Sequence, residues 1–259
     1  MEKELPYLTI TALEDDFQID LPDRYITPYY SLNGTDWVEL QAGEQTPAIN
    51  TGDKIYVKGN LEKGMNGVGS FSTEQRFNLS GNCMSLIFGD EAEGKTDLTG
   101  YNGCFYYLFQ DCTGLEHVSP NFLPATTLAN KCYGNMFAGC TSLVTIPELP
   151  AITLAEGCYD SMFKGCISLM SAPELPATTL INSCYANMFN NCSSLNYIKA
   201  LFLDEPTYYN SLSATYSWVR NVSPTGTFVM SKDATWNPED YKGVRGEYGI
   251  PKGWNVEFV

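Results

Sequence analysis

Histidine is nearly missing from this chain: His117 is the single one among 259 residues. A zinc site of closely spaced Cys and His, or a Cys/His nucleophile pair, would have to use it. His117 stands five residues after Cys112 at an expected strand position, where a solvent-facing residue is the ordinary role, so no metal and no catalytic residue is expected. Positive charge is scarce as well. Fifteen Lys and Arg against thirty Asp and Glu leave a formal charge of −15, which repels a phosphate backbone instead of releasing counterions from it. No nucleic-acid partner is expected. No stretch approaches the ~20 apolar residues of a membrane span, and Met1-Glu-Lys-Glu-Leu-Pro6 shows no basic segment followed by an apolar one. Neither a transmembrane segment nor an export signal is therefore expected in this chain.

What is present is ample core material: 44% apolar and 13% aromatic residues against 17% charged, a balance that argues against wholesale disorder. Much of it is repetitive. Three segments nearly superpose: Cys132-Tyr-Gly-Asn-Met-Phe-Ala-Gly-Cys-Thr-Ser-Leu143, Cys158-Tyr-Asp-Ser-Met-Phe-Lys-Gly-Cys-Ile-Ser-Leu169 and Cys184-Tyr-Ala-Asn-Met-Phe-Asn-Asn-Cys-Ser-Ser-Leu195. They are spaced by 26 residues, and a fourth copy, Cys104 to Leu115, precedes them by 28. The first two continue into Pro-Glu-Leu-Pro-Ala at 147–151 and 173–177. The same register organises all nine cysteines into two columns, with Cys83, through Cys83-x-x-Leu86, expected to join Cys112, Cys140, Cys166 and Cys192.

A 26-residue period lies in the range of leucine-rich repeats, in which each unit is a strand, a return turn or helix, and a short loop. The reading is therefore an α/β repeat, a short right-handed leucine-rich-repeat solenoid over 79–205. Leu143, Ile146, Leu149 and Leu154 would point inward from the strand side, and Met162, Phe163 and Cys166 from the return side. The run Cys-Tyr-x-x-Met-Phe reads as one or two helical turns. Prolines at 147, 150, 173 and 176 lack an amide hydrogen, so the strands should be short, about 144–146, 170–172 and 196–199.

Residues 1–78 read as a small antiparallel β-sandwich-like domain with strands at 7–13, 17–21, 29–32, 37–40 and 54–58. Asn33-Gly34 signals a two-residue hairpin between the third and fourth. Residues 206–259 read as a C-terminal cap, with near-helical spacing of Leu212, Tyr216 and Val219 and strands at 227–230 and 254–259. A terminal repeat needs such a cover because its end offers apolar surface and an unpaired strand edge.

The phrases Met-Phe-x-x-Cys-x-Ser-Leu, Glu-Leu-Pro-Ala-Thr-Thr-Leu180 and Gly249-Ile-Pro-Lys-Gly-Trp254 resemble the BspA-like leucine-rich-repeat surface proteins of anaerobic bacteria. The resemblance covers roughly 79–259 well and Leu8 to Asp15 more loosely. It implies a right-handed solenoid on a cell surface, with adhesive roles known for some relatives and no enzymatic activity. Similar sequences are also encoded in phages. The family has no fixed site motif, so no functional residue is carried over.

Three sharper chemical readings are weaker than their plain alternatives. A helical eight-residue step from Cys132 to Cys140 spans about 12 Å, beyond the roughly 4.4–6.8 Å Cα separation of a disulfide. Cysteines in a ladder point in parallel, so both columns read as buried thiols packed as small apolar groups. The acidic loop Gly89 to Asp97 lacks the alternating order of a calcium loop and reads as a solvated turn.

The expectation for function is a non-enzymatic recognition or adhesion protein, extracellular or on a cell surface, that binds a host protein or glycan through the solenoid and uses no cofactor. The alternative is a phage virion decoration or a structural spacer. The strand positions before the inward Val118, Ile146, Ala172 and Ile198 carry His117, Thr145, Ser171 and Tyr197. This chemically varied row is the candidate binding face, since a spacer calls for monotony there.

Overall fold

A computed structural model of the chain describes residues 5–41, 43–206, 213–242 and 247–259. Near the N-terminus, alternating apolar residues give strands with one buried face. They are β1 (Leu8–Ala12), β2 (Tyr29–Ser31), β3 (Val38–Glu39), β4 (Lys54–Lys58) and β5 (Phe77–Ser80). Ile55 and Val57 of β4, like Phe77 and Leu79 of β5, point inward between more exposed neighbours, as the two-residue side-chain period requires. β1 lies between β4 and β5, antiparallel to both.

β6 (Leu115–Val118) then pairs with β5 in parallel, so the first repeat joins the N-terminal sheet directly, in the order β3-β2-β4-β1-β5-β6. This corrects the expected β-sandwich: the strands form one mixed sheet. The segment 17–21 contributes only the isolated bridges Phe17 to Ile49, Asp20 to Gln45 and Asp20 to Ser72. The Asn33-Gly34 hairpin is also wider than expected, because β2 ends at Ser31 and β3 begins at Val38. The Asn33 carboxamide oxygen accepts from the amides of Thr35 and Asp36, at 2.9 Å each, and so holds that loop itself.

The expected α/β leucine-rich-repeat solenoid does not hold. Among the described residues the sole α-helix is the four-residue α1 (Ser85–Phe88), and the strands lie in the mixed sheet and a three-stranded parallel sheet. The reason lies in the backbone of the Cys-Tyr-x-x-Met-Phe runs. A left-handed residue recurs at every fourth position: Lys131, Asn135 and Gly139, then Gly157, Ser161 and Gly165, then Ser183, Asn187 and Asn191. An α-helix tolerates no such residue in its interior. Each run is instead a chain of linked turns.

Hydrogen bonding alternates along these runs. Gly134 and Ala138 donate three residues back, to the carbonyls of Lys131 and Asn135 at 3.2 and 3.1 Å. The intervening Tyr133, Asn135, Phe137 and Gly139 donate to the next copy, at Cys158, Asp160, Met162 and Lys164, over 2.8–3.0 Å. Every amide is thus used, half within a layer and half between layers, which is how a buried backbone meets its obligation without helix or strand.

Side chains follow the same register. Tyr133, Tyr159 and Tyr185 stack at 5.9 and 6.0 Å, and Phe109, Phe137, Phe163 and Phe189 at 5.7–5.9 Å, all within 8° of parallel. The thiols form two columns, but Cys83 changes sides. Burial, and then the neighbouring Cys132, hold its thiol well above the usual range, and Cys83 acts in turn on Cys104. The first member of the other column, Cys112, faces the Phe71 carbonyl instead.

The layering continues past the last Cys-Tyr-x-x-Met-Phe copy. Tyr185, Asn187, Phe189 and Asn191 donate to the carbonyls of Ala214, Tyr216, Trp218 and Arg220 over 2.7–2.9 Å. Ser217 and Asn221 are left-handed at the equivalent positions. Where near-helical spacing is expected over 210–221, residues 213–221 are therefore another layer of linked turns; Leu212 lies outside the described residues. β7 (Tyr197–Ala200), β8 (Thr227–Met230) and β9 (Asn255–Phe258) form the parallel sheet, with Tyr197 opposite Thr227 and Thr227 opposite Asn255. Trp218 and Trp254 are buried beneath it, while Phe258 on the outer strand is 57% exposed.

Candidate functional site

The four row residues are all exposed, but they come together as two pairs instead of one line. His117 on β6 faces Thr145 across a single parallel bridge, with its Nδ1 2.9 Å from the Thr145 hydroxyl. Ser171 faces Tyr197, the first residue of β7, across another. The expected strands at 144–146 and 170–172 are each reduced to one bridged residue, whereas 196–199 is realised as β7 at 197–200.

Between the pairs the ladder is broken. Val118 donates to the Thr145 carbonyl and Val144 to the Glu116 carbonyl, both at 2.9 Å. Ala172 and Asn196 tie the 170–172 segment to β7 in the same way, at 2.9 Å. Among the described residues no backbone hydrogen bond or bridge joins 144–148 to 170–174. Each segment is bonded on its outer side only, to β6 or to β7, and Pro147, Pro150, Pro173 and Pro176, which have no amide to donate, limit how far any ladder along them can extend.

The break leaves a concavity of about 620 Å³ on the strand side of the repeats. Thr145 and Ser171 supply its hydroxyls, Val144 its most apolar exposed wall, and Glu148 and Glu174 its charge. Glu174 is held by Lys199 at 2.9 Å. The prolines are legible in sequence as ladder breakers. What sequence reasoning missed is that two adjacent broken segments would face one another and open a groove.

The thiols are not available to this site. All nine are free and buried, and burial pushes Cys112, Cys184 and Cys192 up to about 12 and the remaining six well above the usual thiol range. Nor are they purely apolar fillers. Cys140, Cys166 and Cys192 donate to the carbonyls of Phe109, Phe137 and Phe163 one layer back, at 3.0–3.2 Å. In the acidic loop, Asp90 accepts from Lys58 at 2.7 Å and from the Tyr7 hydroxyl at 2.9 Å, which holds its carboxyl below the usual range. Among the described residues no group of three or more His, Cys, Asp or Glu side chains converges to hold a metal, and no helix is long and apolar enough to cross a membrane. No protein-family model matches the chain, nor does any curated protein or solved structure.

Proposed function

We propose that this chain is a non-enzymatic recognition protein that holds a host protein or glycan in the groove between its two Pro-Glu-Leu-Pro segments. The observation that carries this reading is the break between Thr145 and Ser171, which opens a concavity of about 620 Å³ beside turn runs that are bonded layer to layer. A cavity of this size, with an apolar wall and a few placed polar groups, fits the usual make-up of a ligand site. Tyr197, 38% exposed at its margin, can lay its ring on a sugar or a peptide while its hydroxyl stays hydrated. The unreactive thiols and the His117 ring committed to Thr145 support a binding role over a nucleophilic one. The repeat phrases that resemble BspA-like proteins support display outside a cell.

The second reading is a spacer or a virion decoration. The uninterrupted ring stacks and inter-layer amide bonds favour it, since they make a rigid support whether or not anything binds. A glycan array and a pull-down of host-surface proteins, run on the wild type, on Thr145→Arg/Ser171→Arg and on His117→Ala/Tyr197→Ala, separate the two. Binding lost in both variants, with unchanged melting, supports the groove. Equal binding by all three proteins moves the contact elsewhere, and no binding by the wild type favours the spacer.

A further inference from the structure

The repeat register makes departures from it conspicuous, and the largest one is a pair of tyrosines. At the positions of Tyr106 and Tyr107 the later copies carry Gly134-Asn135, Asp160-Ser161 and Ala186-Asn187. The second position is left-handed in every layer: φ is 65° at Tyr107, 54° at Asn135, 57° at Ser161 and 53° at Asn187. Asn and Ser accept that conformation readily, whereas a bulky aromatic there is strained. Strain held in place by its surroundings is a mark of function rather than of packing convenience.

The surroundings do hold it. The Tyr106 and Tyr107 rings meet edge to face with centroids 4.0 Å apart. Tyr106 also lies over Gly134, where an added Cβ would come within 2.4 Å of the ring. The two later layers carry Asp160 and Ala186 at this position instead of glycine. Tyr107 nevertheless remains 42% exposed.

These rings form one wall of a second cavity, about 650 Å³, between the first two turn layers and the N-terminal segments. Its opposite wall is tied down by backbone bonds: Val68 donates to the Cys104 carbonyl at 3.0 Å, and Arg24 donates to the Val68 carbonyl at 2.9 Å. Gly67, at φ 84°, lets that wall approach closely, since a Cβ there would lie 2.8 Å from the Gly103 carbonyl oxygen. Asn66, Asn102 and Asn130 line the space, together with Arg24, Lys131 and Asp23. Among the described residues neither Arg24 nor Lys131 forms an ion pair.

We propose that this cleft is a saccharide site that takes a sugar bearing a carboxylate. An exposed tyrosine face suits the C–H side of a pyranose ring, and its hydroxyl can remain in water. Each Asn carboxamide offers both donors and an acceptor, as a sugar hydroxyl does, so three of them can pair with hydroxyls of either sense. Arg24 and Lys131 are cations in a chain of formal charge −15, and Arg matches a carboxylate in particular through its planar fork of donors. The site is separate from the strand-side groove and stands whether or not that groove binds anything.

The test is calorimetric titration of the full chain with 3′-sialyllactose and with digalacturonate, each compared with lactose. At least one acidic probe should bind at least about tenfold more tightly than lactose and weaken with added salt. Tyr107→Asn installs the residue of the neighbouring layers and relieves the strain, so it should fold at least as well and lose about tenfold or more in affinity. Arg24→Gln should remove the preference for the acidic probe, and Lys232→Gln, which removes an exposed cation just after β8, should leave binding unchanged. No preference for either acidic probe over lactose, or equal binding by Tyr107→Asn and wild type, would overturn the proposal.

Discussion

The Cys166 thiol donates to the Phe137 carbonyl oxygen of the preceding layer at 3.2 Å. Together with the same bond from Cys140 and Cys192, it makes the sulfur column a set of rungs between layers. A thiol engaged in this way, buried and protonated, is a poor nucleophile. All nine cysteines should therefore be silent toward a thiol reagent in the native protein, and nine should be counted in denaturant without reductant. A count of one or three in denaturant would show bridged columns.

Alkaline pH should unfold the protein. Burial raises every thiol in the folded state, whereas an unfolded thiol titrates near about 8.5. Above that pH the folded chain keeps protons that the unfolded chain has lost, so stability is fully present below about 8.5 and falls as pH rises toward about 12. The slope is at most about 1.4 kcal/mol per thiol per pH unit. Urea midpoints measured with reductant should be level from pH 7 to 8 and drop steeply from pH 9; a level profile through pH 11 contradicts the buried columns.

The linked-turn backbone makes a prediction of opposite sign to a helix. Gly165 has φ 78°, and a Cβ there would meet nothing closer than 3.7 Å, so only the dihedral resists substitution. Gly165→Ala should cost about 1–2 kcal/mol. In a helix interior the same change would stabilise by about 0.8–1 kcal/mol. Chemical denaturation of the variant decides between the two.

Leu143 and Leu169 are fully buried at equivalent positions. Either Leu→Ala change should cost about 2–5 kcal/mol, as removal of a buried leucine side chain does elsewhere. A loss under about 1 kcal/mol would place this column at the surface.

Deletion of 226–259 removes β8 and β9 and bares the edge of β7 along with the face of Trp218 that Phe228 covers. An open parallel edge beside apolar surface invites pairing with another chain. The truncated protein should self-associate or lose solubility, as seen by light scattering, and a monodisperse, cooperatively melting monomer would contradict this.

The row His117, Thr145, Ser171 and Tyr197 was legible as equivalent positions because chain register alone aligns them. Its division into two pairs was not, since a bridge forms only if both partners present donors and acceptors at the right height. That depends on how segments 26 residues apart in sequence lie against one another in the fold. Tyr106 and Tyr107 could have been found by asking which copy breaks the repeat, but their strain exists only in the folded backbone.

By itself the sequence determined which side chains share an environment. The recurring Cys, Tyr, Met-Phe and Leu positions form buried columns because a period in hydrophobicity is a period in burial. It also carried a signal for the turns, in the Gly, Asn, Asp and Ser residues at every fourth position that accept a left-handed backbone. That signal is ambiguous locally, because the same residues favour loops and helix ends. Only the tertiary structure decided that each run is a chain of turns, since half of its amides find their acceptors in the neighbouring layer and an isolated copy has none. It likewise decided that Cys83 joins the Cys104 column and that the layering runs on past Leu195 without cysteines, because those placements depend on which layer lies next and not on the residues adjacent in sequence.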